Sequence, residues 1–93
     1  MSEQLLGGWT GFRAPLTAEA KKAFDEAMHG LVGVVYTPVA FASQVVAGIN
    51  YCYLCNAKGV YPGARESAAM VHIYQPLPGQ GHAHVTSIKP INP

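Results

Sequence analysis

One helical stretch followed by four β-type runs leaves this 93-residue chain few ways to fold. After Pro15, Ala20, Ala23, Phe24, Ala27, Met28 and Leu31 recur at helical spacing on one side. Glu19, Lys22, Asp25, Glu26 and His29 fall on the other. Thr17 is suited to capping the start, Glu19 places a negative charge in the first turn, and His29-Gly30 marks the exit. From Val32 onward the period turns to β, with β-branched and aromatic residues in runs 35–46, 49–55, 68–75 and 82–88. Pro38 cannot donate to a ladder, so a bulge or an edge position is expected near the start of the first strand. A fifth, short strand is expected around residues 9–12.

Four consecutive strands with short links most simply form an antiparallel meander, and one helix must cover one of its faces. The expected class is α+β, in a single domain spanning residues 1–93. Alternate connections of a meander share an end of the sheet. The reversal near Ala47-Gly48 and the turn Leu77-Pro78-Gly79-Gln80 are therefore neighbours. The connection 56–67, which carries Lys58-Gly59 and Pro62-Gly63, is longer than a hairpin needs and falls at the far end.

Both neighbouring tips are apolar. Hairpin crowns ordinarily use Asn, Asp, Gly, Ser or Pro, which supply turn dihedrals and keep the backbone hydrated. In Gln44-Val45-Val46-Ala47-Gly48 only the glycine fits that pattern, and the second tip opens on Leu77-Pro78. Leaving a valine side chain in water rather than burying it costs roughly 1.5–3 kcal/mol. Two such tips on one edge point to a surface that a partner covers.

Charge points away from nucleic acid and anionic membrane as partners: the net charge is +1, and the six basic residues are scattered from Arg13 to Lys89. No run reaches the 18 or so apolar residues of a membrane span, and the sequence MSEQLLGGW lacks the basic start and apolar block of a signal peptide. Two cysteines are too few for a disulfide framework. The expected location is the cytoplasm.

Taken together, Gly7-Gly8 after Leu5-Leu6, Gln44 to Gly48 followed by Asn50-Tyr51, and Leu77-Pro78-Gly79-Gln80 resemble the cystatin superfamily of cysteine-protease inhibitors, most closely its stefin branch. The resemblance spans nearly the whole chain. It implies a cystatin-like fold, one long helix packed across a four- to five-stranded antiparallel sheet. It also implies that the protein is a reversible, tight-binding competitive inhibitor of papain-like cysteine proteases such as cathepsins, with a wedge that plugs the active-site cleft. Leu5 and Leu6 would fill non-primed subsites and Gly7-Gly8 would form the trunk nearest the enzyme's thiol. Gln44, Val45, Val46, Ala47 and Gly48 would form the first binding loop, and Leu77, Pro78 and Gly79 the second. The second loop has no Pro-Trp pair and the disulfides of secreted cystatins are missing, as in stefins. The chain departs from the pattern in its long 56–67 connection, in Trp9 directly after the glycines, and in ending soon after the last strand. Trp9 is expected to pack on the sheet. A monomer is expected, with exchange of the first hairpin between two chains as the other oligomeric outcome.

Other motifs read differently. Cys52 and Cys55 form a C-x-x-C, but within a strand that odd spacing sends them to opposite faces, so both are expected to be structural thiols. His82 and His84 are expected to share a face of the last strand beside His72 on its neighbour, with no carboxylate at metal-ligand spacing. No nucleophile turn stands near an acid and base, so no catalytic residues, metal or cofactor are assigned and the chain is not expected to be an enzyme. The competing reading is a non-inhibitory protein with the cystatin-like fold that binds another partner, since fold alone does not fix function.

Overall fold

The computed structural model describes residues 8–91. Within them one helix, α1 (Ala18–Met28), precedes four strands, β1 (Val34–Val46), β2 (Gly48–Gly59), β3 (Glu66–Gln75) and β4 (His84–Ile91). The strands form one antiparallel meander in the order β1-β2-β3-β4, the topology expected of short links between consecutive β runs.

The helix begins where the sequence places it. Thr17 is the N-cap, its Oγ1 accepting from the Ala20 amide at 3.1 Å. Ala20, Ala23 and Phe24 are buried, and the small alanines let the helix axis lie close to the sheet. Phe24 meets Tyr53 edge-on at 5.0 Å, and the buried Tyr53 hydroxyl donates to the Ala20 carbonyl at 2.7 Å. Two expectations fail here. At 11 residues the helix is three turns rather than long, because Gly30 and Gly33, both with positive φ, turn the chain out toward β1. Leu31 consequently lies past the helix and is 47% exposed instead of packed.

Alternation along the strands sorts the sheet into two faces. Phe41, Tyr51, Tyr53, Cys55, Val71 and Ile73 face α1 and form the core with Ala20, Ala23, Phe24 and Ala83. Ala42, Cys52, Met70 and His72 fall on the opposite face. Cys52 and Cys55 are thus on different sides of β2 as free, buried thiols. Burial pushes both thiols up, Cys55 to about 12.

The β1–β2 register shifts between Pro38 and Ala40, so the imino acid coincides with a bulge that takes up its missing donor. Residues 9–13 run antiparallel along β1 through two isolated bridges, Trp9↔Gln44 and Arg13↔Phe41. Hydrogen bonds from the Thr10 amide to the Ser43 carbonyl and between Arg13 and Phe41 in both directions hold this segment. It is a partial fifth strand, not a regular one.

Several strand boundaries differ from expectation, β4 also running on to Ile91 rather than ending at Ile88. β2 and β3 stay paired as far as Lys58↔Glu66, which shrinks the connection expected over 56–67 to the six residues 60–65. β2 is flanked by β1 and β3 along this length, and ladder bonds on both sides outweigh the turn preference of Asn56 and Lys58-Gly59. β4 starts at His84 rather than at residue 82. His82 is drawn out of the ladder by Glu26, 2.9 Å away on α1, so His82 and His84 do not share a strand face.

Candidate functional site

Three pieces of backbone converge on one end of the sheet. Because 9–13 is antiparallel to β1 and bridges at Trp9↔Gln44, the chain at Gly8 runs toward the crown joining β1 to β2. The β3–β4 connection, residues 76–83, leaves from the same end. The 60–65 connection lies at the other. Leu5, Leu6 and Gly7 lie outside the described residues.

The first crown is tight. Val46 pairs with Gly48, leaving Ala47 alone at the turn. Gly48 makes this reversal with φ +108°, a conformation L side chains rarely adopt. A Cβ there would collide with the Gln75 carbonyl oxygen and lie 2.9 Å from the Tyr74 hydroxyl. Below the crown, Asn50 Nδ2 donates to Gln44 Oε1 at 2.9 Å, directly across the strand pair. The Tyr74 hydroxyl of β3 donates to the Ala47 carbonyl. The crown is therefore held from β2 and from β3.

The second loop is a turn closed by the Gln80 amide donating to the Leu77 carbonyl at 3.0 Å. Pro78 at its second position and Gly79 with φ +80° at its third give a type II turn, whose geometry those two residues favour. Leu77, Pro78 and Gly79 are exposed, Leu77 at 48%. Glu26 anchors the loop's far side, its Oε1 accepting from the Ala83 amide at 3.2 Å while Oε2 meets His82. The His82 contact and the Ala83 amide together hold the Glu26 carboxyl below the usual carboxylate range.

Exposure differs from expectation at the first tip. Ala47 is exposed, but Val45 and Val46 are half-buried rather than standing free in water. Both line a groove of about 630 Å³ that runs between the two tips and α1, together with Ile49, Tyr51, Pro76, Leu77 and Pro78. Glu19, Lys22 and Glu26 form its helix side. The apolar surface is thus a trough joining the tips rather than two separate crowns. Tyr74 and Ile49 carry no turn signature, so motif reading passed over them. Their signal is positional: each follows one of the two tips or precedes it within a strand.

Trp9 packs as expected on the sheet face away from α1, edge-on to His72 at 6.3 Å and 46% exposed. Among the described residues no group of three or more His, Cys, Asp or Glu side chains converges. No helix among them is long and apolar enough to cross a membrane. No protein-family model matches the chain, and no curated protein or solved structure matches it. One helix on a four-stranded antiparallel sheet is compatible with a cystatin-like fold.

Proposed function

We propose that this protein is a cysteine-protease inhibitor of the stefin type, with a cystatin-like fold, that plugs the cleft of papain-like enzymes reversibly and in competition with substrate. The observation carrying this reading is the shared end of the sheet. The chain at Gly8, the Gln44–Gly48 crown and the Leu77–Gly79 turn assemble there in the order of the motifs.

Inhibition of this kind needs no catalytic group in the chain, only a surface that fills the cleft without offering a peptide bond to the enzyme's thiol. Gly8 has no side chain, so its backbone can approach that thiol closely. Leu5 and Leu6 would extend into the non-primed subsites. Ala47, Leu77 and Pro78 present exposed apolar surface, and the half-buried Val45 and Val46 continue it into the groove. The bonds from Asn50 and Tyr74 and the closed type II turn restrict both loops before binding, which lowers the ordering cost that association carries. An interface of standard size, roughly 1,600 Å² in total, is compatible with nanomolar affinity.

The test is a titration of papain with the purified monomer. Competitive inhibition is expected. Gly8→Arg should weaken it about 100-fold or more, near 3 kcal/mol, with unchanged circular dichroism. Full papain activity at micromolar protein would overturn the proposal, and equal inhibition by Gly8→Arg would remove the trunk from the interface.

A further inference from the structure

The sheet face turned away from α1 carries a second constellation, unconnected with the tips. Cys52 on β2 lies directly opposite His72 on β3, and Met70 sits two residues along β3 on the same face. Their donor atoms converge: Cys52 Sγ is 3.6 Å from Met70 Sδ and 3.7 Å from His72 Nε2. A metal held by sulfur at about 2.3 Å and by imidazole nitrogen at about 2.0 Å separates two sulfurs by about 3.8–4.0 Å and a sulfur from a nitrogen by about 3.5–3.7 Å, for angles between tetrahedral and trigonal. The Cys52–His72 separation lies in its range as it stands, and the Cys52–Met70 separation is about 0.2 Å short of its own, a small rotation of the flexible thioether.

This face mixes polar Thr37, Gln44, Asn50, Asn56 and Lys58 with apolar Val35, Ala40 and Leu54, and Cys52 is only 6% exposed on it although no helix covers it. Its cover comes from the 9–13 segment. Trp9, Thr10 and Phe12 flank Ala42, Cys52, Met70 and His72 along an open depression of about 230 Å³, ample for one ion.

We propose that Cys52, Met70 and His72 form a site for a soft monovalent metal ion, Cu(I) being the biological ion it fits. Thiolate and thioether together select soft ions over Zn(II), Mg(II) or Ca(II), and imidazole is compatible with copper. Charge points the same way. Lys89 pairs with Met70 across β3 and β4, which sets an ammonium group on the strand next to the cluster. One thiolate cancels one monovalent cation, whereas a divalent ion would leave a net positive charge beside that ammonium. On binding, the Cys52 S–H bond is exchanged for an S–Cu bond and the proton leaves to solvent. No electron moves.

The experiment titrates the full-length protein with silver nitrate in chloride-free buffer, as a redox-silent analogue, and in parallel with Cu(I) under anaerobic conditions. Fluorescence of Trp9, the single tryptophan, reports occupancy, and native mass spectrometry reports stoichiometry. One ion per chain and a change in Trp9 emission are expected. Met70→Leu and His72→Gln should each weaken binding at least about tenfold, since even groups behind the ligands contribute that much. Cys52→Ala should lose about 100-fold or more, while Cys55→Ala, on the opposite face, should bind as the wild type does. Met70→Leu is conservative in volume and keeps the test decisive should Cys52→Ala fail to fold. No binding at micromolar metal would overturn the proposal. So would wild-type affinity in Met70→Leu/His72→Gln, which would reduce the site to a lone thiol, or Zn(II) binding more tightly than Cu(I).

Discussion

Alanine at position 48 probes the geometry of the first crown directly. Gly48 has φ +108°, and placing an L residue in such a sparsely populated region costs about 1–3 kcal/mol. The added Cβ would also press on the Gln75 carbonyl oxygen and sit 2.9 Å from the Tyr74 hydroxyl. The tyrosine can swing away, but the carbonyl belongs to the β2–β3 ladder at Ile49↔Gln75. Relieving that contact costs about one net ladder hydrogen bond, near 1 kcal/mol. The expected loss is therefore about 2–4 kcal/mol. Gly79→Ala is the internal reference, since Gly79 also has positive φ, +80°, but a Cβ there meets nothing within 4 Å. That substitution should cost only the backbone part, about 1–2 kcal/mol. For a chain this short a urea m-value of about 1 kcal/mol/M is expected. The unfolding midpoint should therefore fall by about 1 M more for Gly48→Ala than for Gly79→Ala. Should the two variants unfold within 0.5 M of one another, steric closure of the crown against β3 is refuted.

Tyr53→Phe should destabilise by about 1–2 kcal/mol, because it removes a fully buried hydroxyl donating to the Ala20 carbonyl and loosens α1 from the sheet; an unchanged urea midpoint would contradict this. Glu26→Gln should narrow the pH dependence of stability. The Glu26 carboxyl is held below its usual range by His82 and the Ala83 amide, so its stabilising effect is present above the unfolded-state pKa and lost as pH falls through the folded value. The difference in melting temperature between wild type and Glu26→Gln should therefore be larger at pH 7 than at pH 3, and an equal difference at both would exclude this role.

The helix, the meander and the sharing of one end by two tips were legible because each rests on local chemistry with a period or a turn signature. Thr17 has a hydroxyl where the first free amides need one, and Pro78-Gly79 supplies the φ pair of a type II turn. What was illegible depends on partners distant in sequence. Nothing local tells Asn56 and Lys58 that β1 and β3 flank them, so β2 was expected to end at Cys55 rather than Gly59 and β3 to begin at Ala68 rather than Glu66. His82 looks like a strand residue until Glu26, 56 positions earlier, competes for it. The valines at 45 and 46 read as exposed tip residues because the trough that half-covers them is built from α1 and the 76–81 segment. The Cys52 cluster was equally hidden, since its donors combine only through cross-strand register and methionine carries no spacing signature.

The two tips owe their shapes to different causes, and the difference bears on binding. The Leu77–Gln80 turn is self-sufficient: its proline, its glycine and its closing hydrogen bond lie within four residues. The first crown is not. Its conformation depends on Asn50 reaching Gln44 across one strand pair and on Tyr74 reaching Ala47 from a third strand. A one-residue slip of β2 against β3 would turn Tyr74 to the helix face and leave Val46-Ala47-Gly48 without that brace. The geometry of the proposed wedge is therefore linked to the same register that sets Val71, Ile73 and Tyr53 into the core. A surface tied to core register in this way loses little freedom on binding, because folding has already fixed most of it.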